Sequence, residues 1–173
     1  VNYKFSDKDR VFLSGYFGKD VFSFIDEENG FLVKIPWGNA TSTARWNHLF
    51  NDKLFMNVTA LLSKYDFEFS AEQDQFRFGL ASGILDYSTK VDFQYFPNPR
   101  HNVKFGAYYV RHRFIPSSAS ASSGETEFDV GGSTKLFAHE AAVYVGDDFD
   151  ITDKFRINIG IRYSLFNSHG NKR

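Results

Sequence analysis

The sequence has no cysteine among its 173 residues. Disulfides, thiolate metal sites and cysteine nucleophiles are therefore excluded, while cytoplasm and envelope both stay open as compartments. It also has little net charge, −1 at pH 7, so nothing draws it in bulk toward nucleic acid. No apolar run approaches the ~18 residues of a membrane-spanning helix, and the opening VNYKFSDKDR has none of the features of a signal peptide. A P-loop, a Gly-rich dinucleotide fingerprint and a Ser/His/Asp arrangement are all missing. The histidines His48, His101, His112, His139 and His169 show no metal-ligand spacing. On a strand, His139 and Glu140 point to opposite faces and cannot form a dyad. The reading is of no catalytic residue, no metal, no cofactor and no enzyme.

What the chain has in excess is aromatics: 21 Phe, 9 Tyr and 2 Trp, 18% of the residues. The most regular stretch is KFRINIGIRYSLF, Lys154 to Phe166. Phe155, Ile157, Ile159, Ile161, Tyr163 and Leu165 alternate with Arg156, Asn158, Gly160, Arg162 and Ser164, the period-2 pattern of a strand with one apolar and one polar, cationic face. Its length suits a tilted strand crossing a bilayer. Short polar turns recur at Ser6–Asp9, Asn51–Lys53, Pro97–Arg100 and Thr152–Lys154. Between them fall longer connections read as irregular: Asp26 to Asn39, Ser70 to Gln75, and the Ser/Gly-rich Ile115 to Thr134. The pattern predicts eight strands, about 1–6, 10–25, 40–50, 53–69, 76–96, 102–114, 135–149 and 154–167. Short turns at one end and long loops at the other are the build of an outer-membrane barrel.

A spacing rule supports that build. Lys19 follows Asp7 by twelve residues, Lys64 follows Asp52 by twelve, and Arg111 follows Asn98 by thirteen. Each ends an uncharged apolar face, as a hydrocarbon layer of ~25 Å requires. The fourth strand lacks the cation. Trp46, Phe50, Tyr95 and Tyr163 sit where an interfacial girdle belongs. The basic run Arg111-His112-Arg113 reads as a headgroup-level rim. Polar positions assigned to the lumen side are Arg45, Asn47, Asp86, Lys90, Asp92, Lys104, Glu140, Arg156 and Arg162, and Trp37 is assigned to a ligand-contacting loop.

Two stretches carry a resemblance: DKDRVFLSGYFGKDVF (Asp7 to Phe22) and TARWNHLFNDKLFMNVTALLSKYDFEF (Thr43 to Phe69). Both resemble barrel strands of TonB-dependent outer-membrane receptors of Bacteroidetes, of the type with a carboxypeptidase-regulatory-like domain. The resemblance implies an all-β, antiparallel up-and-down transmembrane barrel, with residues 1–173 supplying about eight strands of a 22-stranded whole. It implies a nutrient receptor in the outer membrane of a Gram-negative cell, importing a small-molecule, glycan or peptide ligand through a plugged barrel. Its partners would be outer-membrane lipid, the TonB system through an N-terminal region absent here, and a surface lipoprotein lid. Both ends read as interrupted, so the chain is expected to be a portion of something longer. Other readings are a complete small eight-stranded barrel serving as adhesin or surface-binding protein, and a soluble ligand-binding barrel with its apolar faces inward.

Overall fold

A computed structural model describes residues 1–129 and 135–169. Antiparallel strands make one open sheet: β1 (Asn2–Lys4), β2 (Asp9–Asp26), β3 (Phe31–Asn51), β4 (Leu54–Gln73), β5 (Phe76–Tyr95), β6 (His101–Ser123), β7 (Thr126–Asp129), β8 (Leu136–Thr152) and β9 (Phe155–His169). The order is β1-β2-β3-β4-β5-β6-β8-β9, with β7 paired only to β6. This is an up-and-down sheet, and no helix occurs among the described residues.

The long connections are not irregular loops, which corrects the sequence reading. Strand β3 begins at Phe31 and takes in Trp37, β4 runs on to Gln73, and β6 extends to Ser123 with β7 folding back on it. Trp37 therefore lies within a strand, paired with Asp20 on one side and Phe67 on the other. The hairpins close at tight tips where Gly30, Asp74 and Gly124 hold positive φ of 59°, 52° and 61°. Asp26 caps the first tip, accepting hydrogen bonds from the backbone N–H groups of Glu28 (3.1 Å) and Asn29 (3.2 Å) and from the Asn29 amide (2.9 Å). These bonds hold its carboxyl below the ordinary aspartate range, the Asn29 side chain contributing most. The expected loop residues 130–134 lie outside the described residues.

Continuous register assigns every side chain to one of two faces. One row of cross-strand partners is Asp9, His48, Met56, Phe93, Phe105, Val145 and Ile161, and this row defines face I. The neighbouring row, Arg10, Asn47, Asn57, Asp92, Gly106, Tyr144 and Arg162, defines face II. The sheet has almost no core. Among the described residues only Val110, Ala138 and Ala142 are buried apolar side chains, and the chain exposes 12582 Å². A globular protein of 19.9 kDa would expose about 8,700 Å². All three buried residues lie on face II, so that face is the crowded one, as on the inside of a curved sheet.

The charges on face I form two oblique lines. Lys19 lies ten residues beyond Asp9, Lys64 eight beyond Met56, and Arg111 six beyond Phe105, so the cations slip about one residue per strand. The turns slip alike: Asp7, Asp52, Asn98 and Asp153 lie two, four, seven and eight residues before Asp9, Met56, Phe105 and Ile161. One residue (~3.3 Å) per strand spacing (~4.8 Å) corresponds to a tilt of about 35°, within the range of β-barrels. Along the same slope, Asp9 and His101 mark a lower line ten residues below Lys19 and Arg111. At that tilt ten residues stand about 27 Å high.

Candidate functional site

Between those lines face I is apolar. Its rows run Val11, Trp46, Val58, Val91, Ala107, Val143, Tyr163 and Leu13, Ala44, Ala60, Thr89, Tyr109, Ala141, Leu165. Among the described residues the one carboxylate strictly inside the band is Asp147, bound to His101 Nδ1 at 2.5 Å. The lower edge is aromatic and paired. Asp9 meets His48 Nδ1 at 2.7 Å and accepts the Trp46 indole N–H at 3.0 Å, while His101 stacks on Phe149 with centroids 4.2 Å apart. Above the cations the same face is wet, with Lys64 bridging Asp66 at 2.6 Å. The run Arg111-His112-Arg113 divides, because neighbours on a strand oppose each other. Arg111 and Arg113 lie on face I, but His112 lies on face II, so the basic rim consists of the two arginines alone.

Face II over the same height is polar, and the register puts Arg45, Asn47, Asp86, Lys90, Asp92, Lys104, Glu140, Arg156 and Arg162 all on it. Most are joined in pairs, within a strand or across strands. Lys90 meets Asp92, two residues along β5, at 2.9 Å, and Lys104 on β6 meets Asp148 on β8 at 2.7 Å. The Arg156 guanidinium binds Asp150, with its second nitrogen at 2.9 Å. Asn47 donates to Asn57, Gln94 donates to Asn102 at 2.9 Å, and Arg162 lies 5.8 Å over the Tyr108 ring. Arg45, Asn57, Thr59, Lys90, Asp92, Lys104 and Tyr144 line one open groove that holds three cations against one carboxylate.

Two features of this face escape a reading of the sequence alone. Tyr144, aromatic in an apolar-looking strand, crosses Gly106 to donate its hydroxyl to Asp92. A Cβ at position 106 would meet the Tyr144 hydroxyl at 2.6 Å and collide with the Val91 carbonyl, so the glycine makes room for the crossing. His112 meets Asp86 at 2.8 Å and approaches Glu140 at 3.9 Å, a cluster that requires knowing β6 sits between β5 and β8. Trp37 is also on face II, above the polar zone and apart from the other nine. His139, by contrast, is on face I against the Tyr109 hydroxyl at 2.7 Å. Among the described residues no three His, Cys, Asp or Glu side chains converge on a metal position.

No protein-family model matches the chain, and none of the curated proteins matches it. The arrangement itself offers a low band of apolar side chains on one face and a solvated, charge-paired surface on the other.

Proposed function

We propose that this sheet is part of the wall of an outer-membrane β-barrel. Face I would meet lipid and face II would line the lumen of a TonB-dependent receptor that captures a nutrient at its outer hairpins and imports it. One observation carries the membrane part of this reading. The apolar band on face I, interrupted only by the His101-bound Asp147 among the described residues, is bounded by two parallel lines about 27 Å apart, inclined to the strands by the tilt a barrel needs. Burial supports it, since the buried Val110, Ala138 and Ala142 all lie on face II, as the crowded inner side of a curved wall requires. Paired charges on face II suit a wet lumen, where Lys90–Asp92 and Lys104–Asp148 keep their hydration. The receptor part rests on the resemblance of Asp7–Phe22 and Thr43–Phe69.

The absence of cysteine supplies a clean test. Single cysteines at Val143 (face I, inside the band), Lys34 (face I, above it) and Thr59 (face II) would be treated with a water-soluble maleimide in outer-membrane vesicles. Labelling at 34 and 59 with protection at 143 is expected. Rapid labelling at 143 would refute the membrane wall. The transport part is tested separately, by whether uptake of a nutrient by cells producing the full protein stops when the TonB system is deleted.

A further inference from the structure

Above the cation line the polarity of the two faces exchanges. Face I there carries Lys19, Lys34, Asp66, Glu68, Glu72 and Arg77. Face II turns aromatic: Trp37 and Phe67 share a row, Phe22, Ile35, Phe69 and Leu80 the next, and Phe24, Val33 and Phe78 the one above. Rings meet across strands, Phe24 against Phe31 at 6.4 Å and Phe69 against Phe78 at 6.2 Å. Over β2 to β6 this wall measures roughly 24 by 26 Å, about 600 Å². That is at the upper end of what a soluble surface leaves bare, so an occupant is called for.

Charge selects the occupant. On face II above the cation line there is no Lys or Arg among the described residues, and the acids are Asp20 and Asp26, with Asp86 and Glu140 at the line itself beside His112. Asp26 is used by its own turn. Asp20 is exposed and has no hydrogen bond or ion pair to a described residue. It is the direct cross-strand neighbour of half-buried Trp37, with Phe67 beyond it in the same row and Phe22 two residues along β2. A carboxylate set beside an indole and phenyl rings is the chemistry that holds an organic ammonium, through charge and ring quadrupole together. We propose that Asp20, Trp37, Phe67 and Phe22 form a recognition site for the ammonium group of an apolar cationic ligand. This rests on the receptor reading and names its substrate class.

The test titrates the full protein in lipid nanodiscs by calorimetry with benzyltrimethylammonium, benzyl alcohol, benzoate and maltohexaose. Binding of the ammonium at least about tenfold tighter than the alcohol is expected, with no binding of benzoate. Asp20→Asn and Trp37→Leu should each weaken it about tenfold. Trp37→Phe should recover part of the loss, and Asp26→Asn should leave it unchanged. Equal affinity for alcohol and ammonium would reduce the site to a plain apolar wall. Binding of maltohexaose alone would make it a sugar platform, and no binding at all would mean another occupant covers it; each result overturns the proposal. Protection of a cysteine at position 143 in the same preparation would show the barrel intact, so failure of the site and failure of the barrel are separable.

Discussion

The band on face I makes a quantitative demand on a single residue. With a slip of one residue per strand, the upper and lower lines cross β8 near Glu140 and Asp150, which leaves Val145 halfway between them. Val145 is 46% exposed and carries no partner on face I beyond its cross-strand neighbours Phe105 and Ile161. If the band is in hydrocarbon, Val145→Arg places a guanidinium at the midplane, at a cost of about 2–4 kcal/mol. That lowers the folded-to-unfolded ratio by roughly 30- to 800-fold. If the band is in water, the change costs only strand propensity, under about 1 kcal/mol. The same slope puts the upper line on β9 at Leu165, where the fourth of the strands leaving a short turn lacks the cation that Lys19, Lys64 and Arg111 supply. Leu165→Arg therefore puts the charge at headgroup depth, where the expected cost is about 0–1 kcal/mol.

The assay is guanidinium unfolding of the full protein in phosphatidylcholine vesicles, followed by tryptophan emission and by heat-modifiable gel mobility. The two variants differ little in chemistry, Val or Leu to Arg on one face of neighbouring strands, so depth is the main variable between them. A difference of at least about 1.5 kcal/mol, with Val145→Arg the weaker, is expected. Equal midpoints, or Leu165→Arg the more damaging, would refute both the lipid assignment and the slope from which the depths follow.

Other consequences are as direct. Gly106→Ala should destabilise by about 1–3 kcal/mol in the same unfolding assay, because the added methyl meets the fixed Val91 carbonyl and blocks the path of Tyr144 to Asp92. In the folded tip the Asn29 side chain and the backbone N–H groups hold the Asp26 carboxyl below the ordinary aspartate range. Its contribution is thus fully present above the unfolded pKa and is lost as pH falls through the lower, folded one. Protection factors of the Glu28 and Asn29 amides, corrected for intrinsic exchange, should hold at pH 5 and fall as pH drops through the lowered Asp26 pKa, whereas Asp26→Asn should remove that pH dependence while keeping the side-chain acceptor. Gly30→Val, at φ 59°, should loosen the same tip more than a change at extended Ser23, read again by exchange at Asn29.

Much of the lower sheet was legible because period-2 alternation and turn chemistry agreed there. Lys154 to Phe166 gave β9 its faces, and Asp52, Asn98 and Asp153 marked the turns where the chain reverses. Assigning Arg45, Lys90, Asp92 and Arg162 to one face needed only that each strand's parity be right, since antiparallel register carries parity across the sheet. What parity cannot give is partnership. That His112 faces Asp86 and Glu140, or that Tyr144 reaches Asp92 across Gly106, depends on the offset between strands, and the sequence holds no local sign of it.

The upper half was misread for a different reason, and the reason is itself informative. In β4 the apolar residues Met56, Val58, Ala60 and Leu62 give way to Tyr65, Phe67, Phe69 and Ala71, still every second residue but of opposite parity. Lys64, Asp66, Glu68, Ser70 and Glu72 take over the first phase. A reading that follows one apolar face meets charge at Lys64; it still carries β2 and β5 to nearly their full height, but it cuts β3 at residue 40 and β6 at residue 114 and leaves the remainder as loop. Pairing does not stop there, because backbone hydrogen bonds are indifferent to which side is greasy. The phase slip therefore does not end the strand, and under the membrane-wall proposal it marks a change of solvent. It falls at Lys64 in β4 and at the adjacent apolar pair Ile84-Leu85 in β5, close to the line the cations draw. In lipid the apolar side must face outward, and beyond lipid it must face away from bulk water. A sheet continuing through that boundary without a break can satisfy both only by exchanging its faces at the height where the surroundings change.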